Sequence, residues 1–133
     1  MKIQAAREVA SAPVTMPGAH DCQVRWLLDE KQGAPNFAMR QFEVAPGGYT
    51  PKHSHPYEHE IFVLEGEGVV AEGEHERPLR AGDCVLVLPD EVHQFRNTGQ
   101  ATLKFLCLVP NSSAQMPVTL AAECARPQER MSP

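Results

Sequence analysis

The sequence predicts an all-β protein, a sandwich or barrel of short strands, on three observations. The segments between Pro, Gly, Asn and Asp punctuation are short and rich in β-formers; several are apolar on both faces; and no helical period occurs before residue 110. "QVRWLLDE" (23–30) leads to the turn Gly33-Ala34-Pro35-Asn36, and "NFAMRQFEV" (36–44) runs from there to Pro46-Gly47-Gly48. "EIFVLEGEGVVAEG" (60–73) contains a turn at Gly66-Glu67-Gly68. "GDCVLVLP" (82–89) ends at Pro89-Asp90, "VHQFRN" (92–97) returns from that turn to Asn97-Thr98-Gly99, and "TLKFLCLVP" (102–110) follows. "CVLVL" and "FLCLV" lack the alternation of a half-wet strand, which fits two packed sheets or a small barrel.

At 133 residues the chain is one domain, with 42 % apolar residues, enough for a core. Residues 1–22 read as an N-terminal arm with a place at a dimer interface, 23–110 as the barrel, and 111–133 as a C-terminal extension. Within 117–133 a short strand or helical turn precedes a polar, Pro-flanked tail expected to fray. The net charge of −5, without any cluster of Lys and Arg, argues against a nucleic-acid partner. No apolar run is long enough to span a bilayer, and Arg7 and Glu8 interrupt the position of a secretory signal core, so no membrane partner and a cytoplasmic location are expected. Of the four cysteines (Cys22, Cys84, Cys107, Cys124), Cys84 and Cys107 sit in apolar strands and read as small core hydrophobes.

Three of the six histidines fall within "HSHPYEH" (53–59). His53, His55 and His59 occupy odd positions and Glu58 and Glu60 even ones, so near-extended backbone puts imidazoles on one face and carboxylates on the other. Three converging neutral imidazoles make a transition-metal site; the competing reading is a His-rich surface turn. His93 follows a buried strand and a Pro-containing turn, which places it back inside, whereas His20 lies in unpatterned sequence and His75 in the polar hairpin "EGEHERP".

These residues resemble the two motifs of single-domain cupins. Gly47, His53, His55, His59 in place of the usual Glu, and Gly66 match the spacing of the first; Gly82, Leu88 in place of Pro, Asp90 in place of Gly, His93 and Asn97 match that of the second. The resemblance implies a jelly-roll, double-stranded β-helix barrel with His53, His55, His59 and His93 as metal ligands. It is most similar to small bacterial cupins that use four histidines for manganese. A one-residue slip would put Glu60 in the place of His59, but would also turn Ile61 and Val63 to the wrong face.

By that resemblance the expected cofactor is one divalent transition metal, Mn or Fe(II), with Zn, Ni, Co and Cu also suited to imidazole. Four imidazoles leave an octahedral ion two adjacent open positions, suited to an oxo acid, a diacid or the enolate of a diketone. The expected activity is dioxygenase, decarboxylase, lyase or isomerase chemistry on a small oxygenated metabolite. A non-catalytic protein binding a small anion and a purely structural metal site are the rival readings. Tyr57 shares the histidines' parity and either donates its phenol to a substrate or caps the barrel mouth. Arg40 either clamps a carboxylate or is a solvated strand residue, and Phe95 and Phe105 either pack the core or line the pocket. Glu60, with Glu58 and Glu91, is an acid/base candidate only if turned inward. Strands apolar on both faces also imply a homodimer.

Overall fold

The computed structural model describes residues 1–122. Its strands are β1 (Ala12–Pro13), β2 (His20–Leu28), β3 (Phe37–Tyr49), β4 (His53–Ser54), β5 (His59–Glu65), β6 (Glu67–Glu72), β7 (His75–Arg80), β8 (Cys84–Val87), β9 (His93–Arg96), β10 (Leu103–Pro110) and β11 (Thr119–Leu120). Pairing is antiparallel throughout the described residues. The sheet runs β11-β4-β9-β3-β10-β5-β8, with β2 and β1 added beside β3, and the β6–β7 hairpin joined to β9. It curls on itself into the half-barrel of a double-stranded β-helix. No helix of the described residues is long and apolar enough to cross a membrane.

Period-two alternation builds the core. Along β10, Leu103, Phe105, Cys107 and Val109 are buried while the residues between them are not. Phe105, Leu103, Val44 and Val63 are fully buried, and the Phe105 ring lies 5.3 Å from Phe42 and 4.9 Å from Phe95. At the far end of β9, the buried Asn97 amide donates to the carbonyls of Val44 and Ala101, both at 2.8 Å, and its Oδ1 accepts from Gly99 N–H. The last residue of the second motif thus satisfies backbone groups where strands end.

Several boundaries differ from the sequence expectation. The first long strand starts at His20, three residues before Gln23. The segment 60–73 divides into β5 and β6 at the expected turn, where Gly66 stands at φ +86° with the Thr102 carbonyl 2.5 Å from where a Cβ would sit. The polar hairpin holds a strand, β7, paired with β6. The segment 117–133 contains β11; the tail beyond residue 122, Cys124 included, lies outside the described residues. Cys84 is exposed, not a core residue, because β8 stands at the end of the sheet path and turns Cys84 and Leu86 outward.

Candidate metal centre

Strand pairing brings the histidines together from distant sequence. His53 on β4 lies directly opposite His93 on β9. The odd-residue face persists through Pro56: His55 and His59 are buried, while Pro56, Glu58 and Glu60 are exposed. Asp90, in the position the family fills with Gly, has φ +68°, and its N–H donates to the His55 carbonyl at 2.8 Å. An Asp tolerates the left-handed region better than most residues. The substitution therefore keeps the turn that delivers His93 to the site.

One ligating nitrogen from each of His53, His55, His59 and His93 lies within 4.8 Å of the other three. The rings meet edge to face, with centroids 4.3 Å apart for His55–His59 and 4.7 Å for His53–His93. Each Nδ1 is engaged elsewhere. His55 Nδ1–H donates to the Tyr57 carbonyl at 2.7 Å and His93 Nδ1–H to the Glu91 carbonyl at 2.8 Å. His53 Nδ1 lies 3.2 Å from Met16 Sδ, and His59 Nδ1 lies 3.1 Å from Cys107 Sγ. A carbonyl only accepts, so the neutral tautomers of His55 and His93 carry their proton on Nδ1 and keep the Nε2 lone pair. His55 Nε2 is buried without any hydrogen-bond partner. Buried orphan acceptors are costly, and convergent imidazole lone pairs with their outer nitrogens anchored fit a divalent transition metal.

The electrostatics keep the donors unprotonated. Burial, then the neighbouring His93, His55 and Arg40, pushes His53 down to about 3. Burial likewise lowers His93, to about 4, despite the opposing hydrogen bond to the Glu91 carbonyl. His55 is lowered by burial, and His59 lies far below the imidazole range through burial and then the Arg40 charge.

Above the cluster opens a cavity of about 360 Å³. His53, His59 and His93 reach it, and its walls are mostly apolar: Trp26, Phe42, Phe95 and Phe105, with Val14 and Met16 from the N-terminal arm. Phe95 and Phe105 thus pack the core and line the cavity at once. Arg40 also faces it, its guanidinium 4.9 Å from the Phe42 ring and 5.3 Å from that of Trp26. Arg40 Nε is buried without a partner. Tyr57, half-buried, stacks on His55 with centroids 3.9 Å apart, and burial raises its phenol above the usual range.

Glu60 is not brought to the site: it lies exposed on the outer face of β5, hydrogen-bonded to Glu58. Among the described residues lining the cavity there is no Asp or Glu. His20 and His75 are exposed and apart from the cluster. Cys107, Met16 and Trp26 are among the contributors that escaped the sequence reading, with Val14 and Phe42. Cys107 was legible only as a β-strand thiol, although its even spacing from Phe105 signals the same face. The arm has no period, so nothing marked Met16.

A cupin-domain profile matches residues 40–109, just over half of the chain. The solved structure of the polyketide cyclase RemF from Streptomyces resistomycificus aligns with a TM-score of 0.86 at 31 % identity, covering 98 % of this chain and 94 % of that one. Protein SchB of Streptomyces halstedii is 34 % identical over 108 residues, 80 % of this chain and 78 % of SchB. An oxalate-binding protein of Thermotoga maritima is 34 % identical over 70 residues, 52 % of this chain and 58 % of that protein. The chain spans only about half the length of the first curated relatives it matches, 46 % and 58 %. With profile, relatives and double-stranded β-helix in agreement, the chain belongs to the cupin family.

Proposed function

We propose that His53, His55, His59 and His93 hold one divalent transition metal, manganese or ferrous iron by the sequence resemblance, and that the protein is an enzyme acting on a substrate with a 1,3-dicarbonyl head and an apolar body. The observation that carries this reading is the four-imidazole cluster at the base of an aromatic-walled cavity free of carboxylates. A bare diacid such as oxalate would leave most of about 360 Å³ of apolar wall unfilled. A bound metal supplies Lewis acidity toward a carbonyl oxygen.

The chain's own residues do the rest. The Arg40 guanidinium, held in place by the rings of Trp26 and Phe42, donates to a substrate oxygen in the cavity. The phenol of Tyr57, kept protonated by burial, donates a proton to a second oxygen as charge develops there. The aromatic walls exclude water from the carbon between the two carbonyls. Chemistry at that carbon, by ring closure, cleavage or isomerisation, suits this arrangement, and ring closure is the reaction named for the Streptomyces resistomycificus neighbour. The lack of a carboxylate base in the cavity gives a specific ground for the second reading, a non-catalytic metallocupin that binds such a ligand. We also place the protein in the cytoplasm as a homodimer.

The test incubates metal-loaded protein with aryl-substituted 1,3-diketones, 2-oxo acids and oxalate, following enol absorbance and oxygen uptake. Diketone turnover without oxygen uptake is the expected result. Oxygen uptake would move the assignment to an oxygenase, and binding without turnover to the non-catalytic reading. Preference for oxalate would overturn the dicarbonyl assignment.

A further inference from the structure

The four histidines do not have equivalent outer partners. His55 and His93 face backbone carbonyls, whose inability to donate fixes the proton on Nδ1. His59 Nδ1 faces two side chains: Arg40 Nη2 at 3.4 Å and Cys107 Sγ at 3.1 Å. A guanidinium can only donate. Left alone with His59, Arg40 would select the tautomer with a lone pair on Nδ1 and the proton on Nε2. That tautomer cannot ligate a metal through Nε2.

The sulfur of Cys107 stands between the two. It lies 3.0 Å from Arg40 Nη2 and 3.1 Å from His59 Nδ1, closer to each than they are to one another. Its lone pairs can accept from both donors, so Arg40 is satisfied without taking the Nδ1 lone pair. Strand register maintains the arrangement: Cys107 on β10 pairs with Arg40 on β3 and with Ile61 on β5, two residues beyond His59. The rings of Trp26 and Phe42 hold the guanidinium, so Arg40 cannot simply swing away.

We infer that Cys107 is a positioning residue that sets the tautomer of His59, accepting from His59 Nδ1–H and Arg40 together and so leaving His59 Nε2 free to ligate. The inference rests on the four-histidine metal reading above. Outer partners of metal-bound histidines are typically worth about 10–100-fold in metal affinity. Cys107 carries such a load on one ligand only.

The experiment uses the full chain as wild type, C107S, C107V, C107A and the double variant C107V/R40M. Long-range ¹H–¹⁵N spectra of the histidine rings in metal-free protein at pH 7.5 read the tautomer directly. Wild type and C107S are expected to carry the His59 proton on Nδ1, and C107V and C107A on Nε2. Co(II) titration, followed by its visible absorption, should be weakened about 10–100-fold in C107V and C107A. It should stay within about threefold of wild type in C107S and recover to about that level in C107V/R40M, where the competing donor is gone. An unchanged tautomer in both C107V and C107A overturns the inference, as does a loss of affinity that removing Arg40 fails to reverse. A wild-type chain that takes up no Co(II) overturns the metal reading, and the ligation part of the inference with it, while the metal-free spectra still decide whether Cys107 sets the tautomer.

Discussion

Along β5 the inward residues His59, Ile61 and Val63 are buried, whereas Glu60 and Phe62 between them are exposed. Both faces carry apolar side chains beside a titratable one. Inward, His59 meets three other imidazoles, Cys107 and Arg40, and burial drives it neutral. Outward, Phe62 lies beside Cys84 in the register with β8, and Glu60 beside Leu86, with Leu86 56 % exposed and Leu88 51 % exposed. Hydropathy does not separate these faces. Position in the curl does: the inner face joins the buried core and the histidine cluster, whereas the outer face, beside the edge strand β8, leaves Phe62, Leu86 and Leu88 exposed among the described residues.

The largest effect belongs to the inner face. His53→Ala or His93→Ala is expected to abolish metal uptake, while wild type and His75→Ala keep close to one equivalent. Elemental analysis of purified protein checks this, and equal content in all four proteins would dissolve the distinction between clustered and exposed histidines.

Acid should attack the same face next. Unfolded imidazoles take a proton near pH 6.5, but folded His93 and His53 resist until about 4 and about 3. Between those values the unfolded chain binds more protons. Stability is therefore full above about pH 6.5 and falls as pH drops toward 4 and 3. Metal competes for the same lone pairs, which folded His93 and His53 keep free of protons down to about pH 4 and about 3. Across the window from about pH 6.5 to about 3, Tm should therefore fall first and metal occupancy should be lost at its acid end. A flat Tm with metal retained across that window would contradict the all-imidazole site.

Much of this inner face was legible in the sequence, for a physical reason. Period-two alternation survived Pro56, so the odd parity of His53, His55, Tyr57 and His59 translated into one inward face. The turn before His93 was legible because Pro-Asp can only punctuate, and Asp90 indeed sits at φ +68°. What was not legible depends on register between remote strands. Cys107 meets Arg40 across a separation of 67 residues, and the local strings "CVLVL" and "FLCLV" do not reveal which cysteine lies on the edge strand. Met16 and Val14 reach the cavity from an arm whose course is set by pairing of β1 with β2, not by any pattern of its own.

The outer face supplies the next test. Exposed Phe62, Leu86 and Leu88 are expected to be covered by a second copy of the chain. Light scattering should give a dimer mass across a tenfold concentration range, and Leu86→Lys should shift it toward monomer with metal content unchanged. A monomeric wild type would mean that this apolar surface is simply tolerated. Loss of metal in Leu86→Lys would mean that the two faces are not independent.

The smallest effect separates the faces most finely, because it compares neighbouring residues on one strand. The hydrogen bond with Glu58, then burial and the Glu58 charge, pushes Glu60 up from 4.5 to about 6. Its folded pKa is raised, so the folded state holds the extra proton between those values and the pair opposes folding once pH rises through 6. Glu60→Gln should therefore raise Tm slightly at pH 8 and leave it unchanged near pH 4. The effect is small because the carboxylates are exposed and solvent screens them. Metal content should be the same in Glu60→Gln and Glu60→Ala as in wild type, and should drop in His59→Ala, whose ring alone of the two faces the cluster. If Glu60→Ala strips the metal while His59→Ala retains it, β5 is slipped by one residue, and the face read as outer is the one that holds the ion.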